Sequence, residues 1–231
     1  MSAPARWTAS RMRPPRRRAG PRAQRHAADD RRLARAGKRA LDVFGASLGL
    51  TLALPVLAAA AVAIKLDSPG PVFYCQLRCG REGRRFCLWK LRTMVDGAEA
   101  QQTALFARNE MDGPMFKMRD DPRVTRIGRL LRQYSLDELP QLWNVLRGDM
   151  SLVGPRPALP REVMAYKPHE RERLSVTPGL TGPWQISGRS DLPFHRYVEL
   201  DVEYARSWSI RRDLEILART VPAVFRGGGA C

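Results

Sequence analysis

One apolar run stands out near the start of the chain. From Val43 to Ile64 there are 22 residues without a charge, bounded by Asp42 and Lys65. As one straight helix, at ~1.5 Å per residue, the run is about 33 Å long, enough to cross a bilayer. Pro55 divides it into stretches of 12 and 9 residues. An internal proline removes a backbone hydrogen bond and clashes with the preceding turn. Each stretch alone is roughly 14–18 Å, too short to cross. Basic residues stand on both flanks: Arg35, Lys38 and Arg39 before, then Lys65, Arg78, Arg81, Arg84 and Arg85 after. Positive flanks favour the cytoplasmic side. The pattern predicts a membrane helix broken at Pro55 that enters and leaves on one face. The alternative is an ordinary spanning helix that tolerates its proline.

Beyond Pro69-Gly70-Pro71 the period changes. Val72-Phe73-Tyr74-Cys75 and Phe86-Cys87-Leu88-Trp89 are β-prone runs around a polar turn with Gly80 and Gly83, and they predict a hairpin. Residues 95–118 are polar and irregular, a loop or a partly helical excursion. Val124, Ile127, Leu130, Leu131 and Tyr134 then form a helical stripe, with Arg126, Arg129 and Arg132 on another face. Leu139, Leu142, Trp143 and Leu146 predict a second helix that stops at Gly148. Residues 160–175 and 195–225 are further helical candidates, separated by the Gly/Pro-rich segment 178–188. The fold class that results is α+β and mostly helical. It divides into a disordered basic arm (1–36), a re-entrant membrane helix (37–66) and a helical domain with a small hairpin (67–231).

Charge sharpens this division. The 231 residues carry 40 basic and 23 acidic side chains, a net +17. Residues 1–39 hold 13 of the basic residues against Asp29 and Asp30 alone. Such an excess points to a polyanionic partner: nucleic acid, an anionic membrane surface or phosphorylated substrates. Four cysteines without a C-x-x-C pair, and three histidines, exclude a disulfide scaffold and disfavour a zinc site, so reduced cytosolic thiols are expected.

The common phosphate-binding signatures are missing, both the Walker A loop and G-x-G-x-x-G. Candidate chemistry falls elsewhere. In Ser135-Leu136-Asp137-Glu138-Leu139-Pro140, two adjacent carboxylates sit between the Arg-lined helix and the next one. Ser135 and Glu138 also fit a capping box, which needs no chemistry. A carboxylate kept ionised near Arg132 could instead hold Mg²⁺ or attack phosphorus. In Gly154-Pro155-Arg156-Pro157, two prolines pin the backbone around one arginine suited to bidentate phosphate contact. The segment 178–189, ending at Arg189, is either a substrate loop or a plain connection. Strand alternation places Lys90 and Arg92 on one face.

These pieces together resemble the bacterial sugar transferases, the monotopic polyprenyl-phosphate phosphoglycosyltransferases. The resemblance runs from Lys38 to Arg226 through KRALDVFGASLGL, QLRCG, LWKLRTM, DDPRVTRIGRLLR, SLDELPQLWNVLRGDMSLVGPRP, TPGLTGPWQISGR and DVEYARSWSIRRDL. It implies transfer of a sugar-1-phosphate from a UDP-sugar to polyprenyl (undecaprenyl) phosphate, with release of UMP, as the first membrane step of exopolysaccharide or other glycan assembly. It implies Asp137 as a nucleophile that forms an aspartyl-phosphosugar, Glu138 as its partner, and Mg²⁺ held by Asp137 and Glu138. Lys90, Arg92, Arg129, Arg132, Arg156 and Arg189 become the expected phosphate or nucleotide contacts. The family's re-entrant helix breaks at Ser-Pro, and here Leu54-Pro55 keeps only the proline. GPWQISGRSDLPF resembles members that use UDP-glucose or UDP-galactose. The expected location is the cytoplasmic membrane, with the catalytic domain on the cytosolic face. Expected partners are the two substrates, anionic lipid and later glycosyltransferases, with no nucleic acid. The competing readings are a basic nucleic-acid-binding protein and a non-catalytic membrane scaffold.

Overall fold

The computed structural model describes residues 21–110, 116, 118, 120–187 and 193–225. Its first element, α1, runs from Pro21 to Asp67 with Pro55 inside it. The second part of the expected disordered arm, residues 21–36, is therefore helical. Ala23, Ala27, Ala28, Ala34, Ala36 and the arginines among them are strong helix formers, and a proline is well suited to the first helical position. Residues 1–20 lie outside the described residues. The helix also continues through Pro55 without an unwound turn. Ala46, Ala53, Ala60 and Ile64 are buried along one stripe, while Phe44, Leu48, Leu52, Val62 and Leu66 are exposed. A segment from Arg32 to Asp67 is long and apolar enough to cross a membrane.

The buried stripe meets the rest of the chain on both sides of Pro55. Ala46 packs with Leu88, Leu142, Val145 and Met150. Ala60 and Ile64 pack with Leu91 and Leu131. The predicted hairpin is present, with β1 (Phe73–Cys79) antiparallel to β2 (Arg85–Leu91). Its register sets Leu77 opposite Cys87 and Cys75 opposite Trp89. Cys75 and Cys87 are thus diagonal neighbours with Cα atoms 5.5 Å apart, and a disulfide joins them. This corrects the expectation of reduced thiols at that pair. A search for C-x-x-C spacing cannot see two cysteines that only strand pairing brings together. Cys79 is a free, buried thiol.

Among the described residues of the 95–118 excursion are a short helix, α2 (Gln102–Leu105), and a 3₁₀ turn (Phe106–Arg108). The two predicted helices follow as α3 (Arg126–Gln133) and α4 (Gln141–Arg147). Thr125 caps α3 by accepting from Gly128 N–H, and Asp67 at the end of α1 accepts from Ile127 N–H. Gly148 ends α4 with a φ of 89°, a left-handed conformation that glycine adopts without penalty.

The remainder forms a cradle around a parallel strand pair that periodicity did not announce. The strands β3 (Ser151–Val153) and β4 (Gly179–Thr181) pair Ser151 with Gly179 and Val153 with Thr181. Around them lie α5 (Pro160–Ala165), a 3₁₀ segment (Glu170–Ser175), α6 (Pro183–Ile186), α7 (Phe194–Ser207) and α8 (Ile210–Phe225). The Gly/Pro-rich segment is accordingly neither a bare connection nor a bare loop, since it supplies β4 and α6.

Candidate active site

Between α3 and α4 the chain makes a 3₁₀ turn, Leu136–Glu138. Ser135 precedes it with φ 56° and makes no side-chain capping bond. The capping-box reading therefore fails, and the adjacent carboxylates are free of that duty. Asp137 is only 6% exposed. Glu138 reaches back to β2, where Lys90 Nζ donates to its Oε1 at 2.8 Å and stands 3.9 Å from Asp137 Oδ2. The strand fixes the lysine, and the 3₁₀ turn fixes the carboxylates.

The electrostatics separate the two acids. Burial pushes the Asp137 carboxyl up to about 6, with Lys90 opposing that rise and Glu138 adding to it. For Glu138 the opposition wins: burial would raise it, but Lys90, Arg156 and Arg78 hold it below the usual carboxylate range. One carboxyl is thus held near neutrality while its neighbour stays ionised, the kind of divergence that marks acid–base and nucleophilic sites.

Arg156 follows β3 directly. Its carbonyl accepts from the Arg173 guanidinium at 3.1 Å, and its own Nη1 is buried without a hydrogen-bond partner. Arg78, at the end of β1, is buried beside it and donates Nη1 to the Pro157 carbonyl at 3.0 Å. Burial, and then repulsion from Arg156, pull the Arg78 guanidinium down to about 10. Buried Arg78, half-buried Arg156 and the orphaned Arg156 Nη1 fit an anion of several oxygens, because such an anion offsets both charges and satisfies the free N–H.

The expected site residues distribute unevenly. Lys90, Asp137, Glu138 and Arg156 converge. Arg132 is half-buried, donates Nε to Thr93 Oγ1 at 2.9 Å, and its charge acts on Asp137. Arg129 is exposed on α3. Arg92 is buried and donates to the Ser68 carbonyl just beyond α1 at 2.7 Å. Arg189 lies outside the described residues. Sequence reasoning passed over Arg78, Glu162, Arg173, Tyr197 and Asp201. Arg173 pairs with Asp201 and Tyr197, Tyr197 packs edge-on against Trp184 at 5.1 Å, and Glu162 is buried at the start of α5. The available signal was weak: Arg78 is a lone charge in the strand Phe73–Cys79.

The donor set bears on Mg²⁺. Among the described residues no cluster of three or more His, Cys, Asp or Glu side chains could cage a metal. Two adjacent carboxylates nevertheless suit Mg²⁺, which is commonly held by one or two carboxylates plus substrate phosphates and water.

Buried Asp137 and half-buried Glu138, with Lys90 close to both and the charges of Arg78 and Arg156 acting on Glu138, form a candidate site suited to a phosphorylated substrate. Residues 33–227 match the family model described as Bacterial sugar transferase, and the chain belongs to that family. It is 46% identical over 194 residues to the galactosyl transferase CpsE of Streptococcus agalactiae serotype III (strain NEM316), a match covering 84% of this chain and 43% of that protein. It is 41% identical over 197 residues to the exopolysaccharide production protein ExoY of Rhizobium meliloti (strain 1021), covering 84% and 87%. It is 43% identical over 199 residues to the UDP-glucose:undecaprenyl-phosphate glucose-1-phosphate transferase of Caulobacter vibrioides, covering 81% and 69%. Relatives such as CpsE are more than twice as long as the segment they share with this chain.

Proposed function

We propose that this protein transfers a sugar-1-phosphate from a UDP-sugar to polyprenyl phosphate and releases UMP. The observation that carries the reading is the adjacent Asp137 and Glu138 pair, the first buried and the second half-buried, with Lys90 at 2.8 Å from Glu138 and the charges of Arg78 and Arg156 acting on it. A carboxylate oxygen of Asp137 attacks the phosphorus that bears the sugar, and the bond from that phosphorus to the UMP oxygen breaks. UMP leaves, and an aspartyl-phosphosugar remains. An oxygen of the lipid phosphate then attacks the same phosphorus, the acyl-phosphate bond breaks, and the Asp137 carboxylate is restored. Phosphoryl transfer asks mainly for positioning and charge neutralisation. Lys90, Arg78, Arg132 and Arg156 supply cations for that task. Asp137 and Glu138 would hold Mg²⁺, which when bound offsets the negative charge of the diphosphate. The family match and this cluster favour an enzyme over a nucleic-acid binder or an inert scaffold. Its likeness to a galactosyl transferase and to a UDP-glucose:undecaprenyl-phosphate glucose-1-phosphate transferase supports UDP-galactose or UDP-glucose as donor.

The test is UMP release in membranes supplied with polyprenyl phosphate, Mg²⁺ and a panel of UDP-sugars. UDP-glucose or UDP-galactose is expected to give the fastest release. Failure of every UDP-sugar overturns the reading.

The same reading places α1 in the membrane with both ends on the cytosolic side. Residues before and after Pro55 pack on one domain. A straight crossing would carry one of those contacts through the bilayer. Its exposed face of Phe44, Leu48, Leu52, Val62 and Leu66 then meets lipid. Cysteines introduced at Ala9 and Ser187 should react with an impermeant reagent only from the cytoplasmic side. Labelling of Ala9→Cys from outside would refute the re-entrant arrangement. A proline-induced kink within the continuous α1 would turn both ends to one face, so Pro55→Ala should move the topology toward spanning.

A further inference from the structure

On the N-terminal side of the apolar run, α1 turns polar side chains into the catalytic domain. Lys38 Nζ donates to the Val153 carbonyl at 2.9 Å and to Asp213 Oδ2 at 2.6 Å. Asp42 Oδ1 accepts from Ser151 Oγ and from Leu152 N–H, both at 2.9 Å. Tyr204 closes the set, donating to Asp213 Oδ1 at 2.6 Å and lying 3.1 Å from the Val153 carbonyl. Every residue of β3 is therefore held by α1. Arg39, next in the chain, does something different. Its two terminal nitrogens donate to the Val145 and Leu146 carbonyls at the end of α4, each at 2.6 Å.

Stability alone does not account for the choice of side chains. Asp42 and Asp213 are 5% and 1% exposed. Desolvation offsets much of the attraction in a buried ion pair, and apolar groups of similar volume often stabilise as well or better. What directional bonds add is a fixed strand position. That position matters because β3 runs straight into Gly154, Pro155 and Arg156. Gly154 has no slack: a Cβ there would lie 2.4 Å from the Thr177 carbonyl, and one on Gly179 would lie 2.0 Å from Gly154 N. Pro155 fixes its own φ. On the far side, Arg173 holds the Arg156 carbonyl. A shift of β3 is thus passed on to the Arg156 guanidinium instead of being absorbed.

We propose that Lys38 and Asp42 are positioning residues for the donor diphosphate: the membrane helix, acting through β3, sets where Arg156 stands. The inference rests on the function proposed above and adds a coupling between the lipid-embedded helix and donor binding. Neither side chain touches the donor.

The experiment measures UMP release by the full chain in lipid nanodiscs, with donor and acceptor varied separately. Lys38→Met and Asp42→Asn should raise the donor KM about ten-fold or more, since a misplacement of ~1 Å can cost ~10²-fold. The polyprenyl-phosphate KM should stay at the wild-type value. Lys38→Arg should recover part of the loss. Ser151→Ala keeps the Leu152 bond to Asp42, so it should fold and give a smaller rise in the same direction. Arg39→Gln leaves α4 carbonyls uncapped, so it should lower thermal stability while the donor KM stays put. The proposal is overturned if folded Lys38→Met or Ser151→Ala keeps the wild-type donor KM. It is equally overturned if Arg39→Gln moves that KM as far, or if both substrate KM values rise together. A wild-type protein that turns over while these variants keep their donor KM refutes the positioning role alone. A wild-type protein that releases no UMP refutes the function and the inference with it.

Discussion

Asp137→Asn is expected to reduce UMP release to background while the protein stays folded. The substitution keeps the side-chain volume at a site only 6% exposed but removes the anion proposed to attack phosphorus. Incubating wild-type enzyme with labelled UDP-sugar and no lipid acceptor should load a phosphosugar onto the peptide that contains Asp137. The variant should show no such mass gain. Turnover surviving in Asp137→Asn, or kinetics requiring both substrates bound before UMP leaves, would refute the two-step scheme. The same carboxyl dictates the pH response. It lies near about 6 because burial raises it, with Lys90 pulling it down and Glu138 pushing it further up. Below that pH it is protonated and cannot attack, so kcat/KM should fall on the acid side and level off above it. The limb belongs to the coupled pair of carboxyls and not to one residue. Lys90→Met removes the opposing charge, so its limb should move to higher pH. A limb unmoved in Lys90→Met would separate the lysine from the nucleophile.

Arg173→Met is expected to produce the largest loss of stability in the chain. Arg173 and Asp201 form an ion pair with side chains 1% and 0% exposed. Arg173 also donates to the hydroxyls of Tyr166 and Tyr197 and to the Arg156 carbonyl. Removing one partner strands Asp201 in the interior, a change that typically costs about 3–5 kcal/mol. In a domain of this size that corresponds to a fall in Tm on the order of 10 °C. Thermal unfolding in detergent measures it. A shift of only a degree or two would mean that water reaches Asp201 and relieves the buried charge. Arg206→Ala is the contrast: its pair with Glu172 lies at the surface, where solvent screens it, and Tm should stay close to the wild-type value.

The boundaries of the long helix show where local patterns stop being informative. A sequence window reads the Arg-rich residues 21–36 as solvated and irregular, yet they continue α1, because helix propensity extends an element already nucleated by the apolar segment. Pro55 shows the converse. Its local cost predicts a break, while packing of Ala46 on α4 and of Ile64 against Leu131 supports a continuous element across it.

The sequence by itself determined the apolar helix, the hairpin, α3 and α4, and the Asp137, Glu138 and Arg156 motifs. Each of these is written in contiguous residues: a period, a turn, a cap or a short string. The tertiary structure alone decided what faces those motifs. Lys90 meets Glu138 across 48 positions of chain, and Arg78 meets Pro157 across 79. The Cys75 bridge to Cys87 depends on strand register, and the β3–β4 pair is too short to leave a period. Lys38 and Asp42 reach β3 across more than a hundred residues. No local rule ranks such partners, because burial and the geometry of neighbouring elements fix which charges share a low-dielectric space.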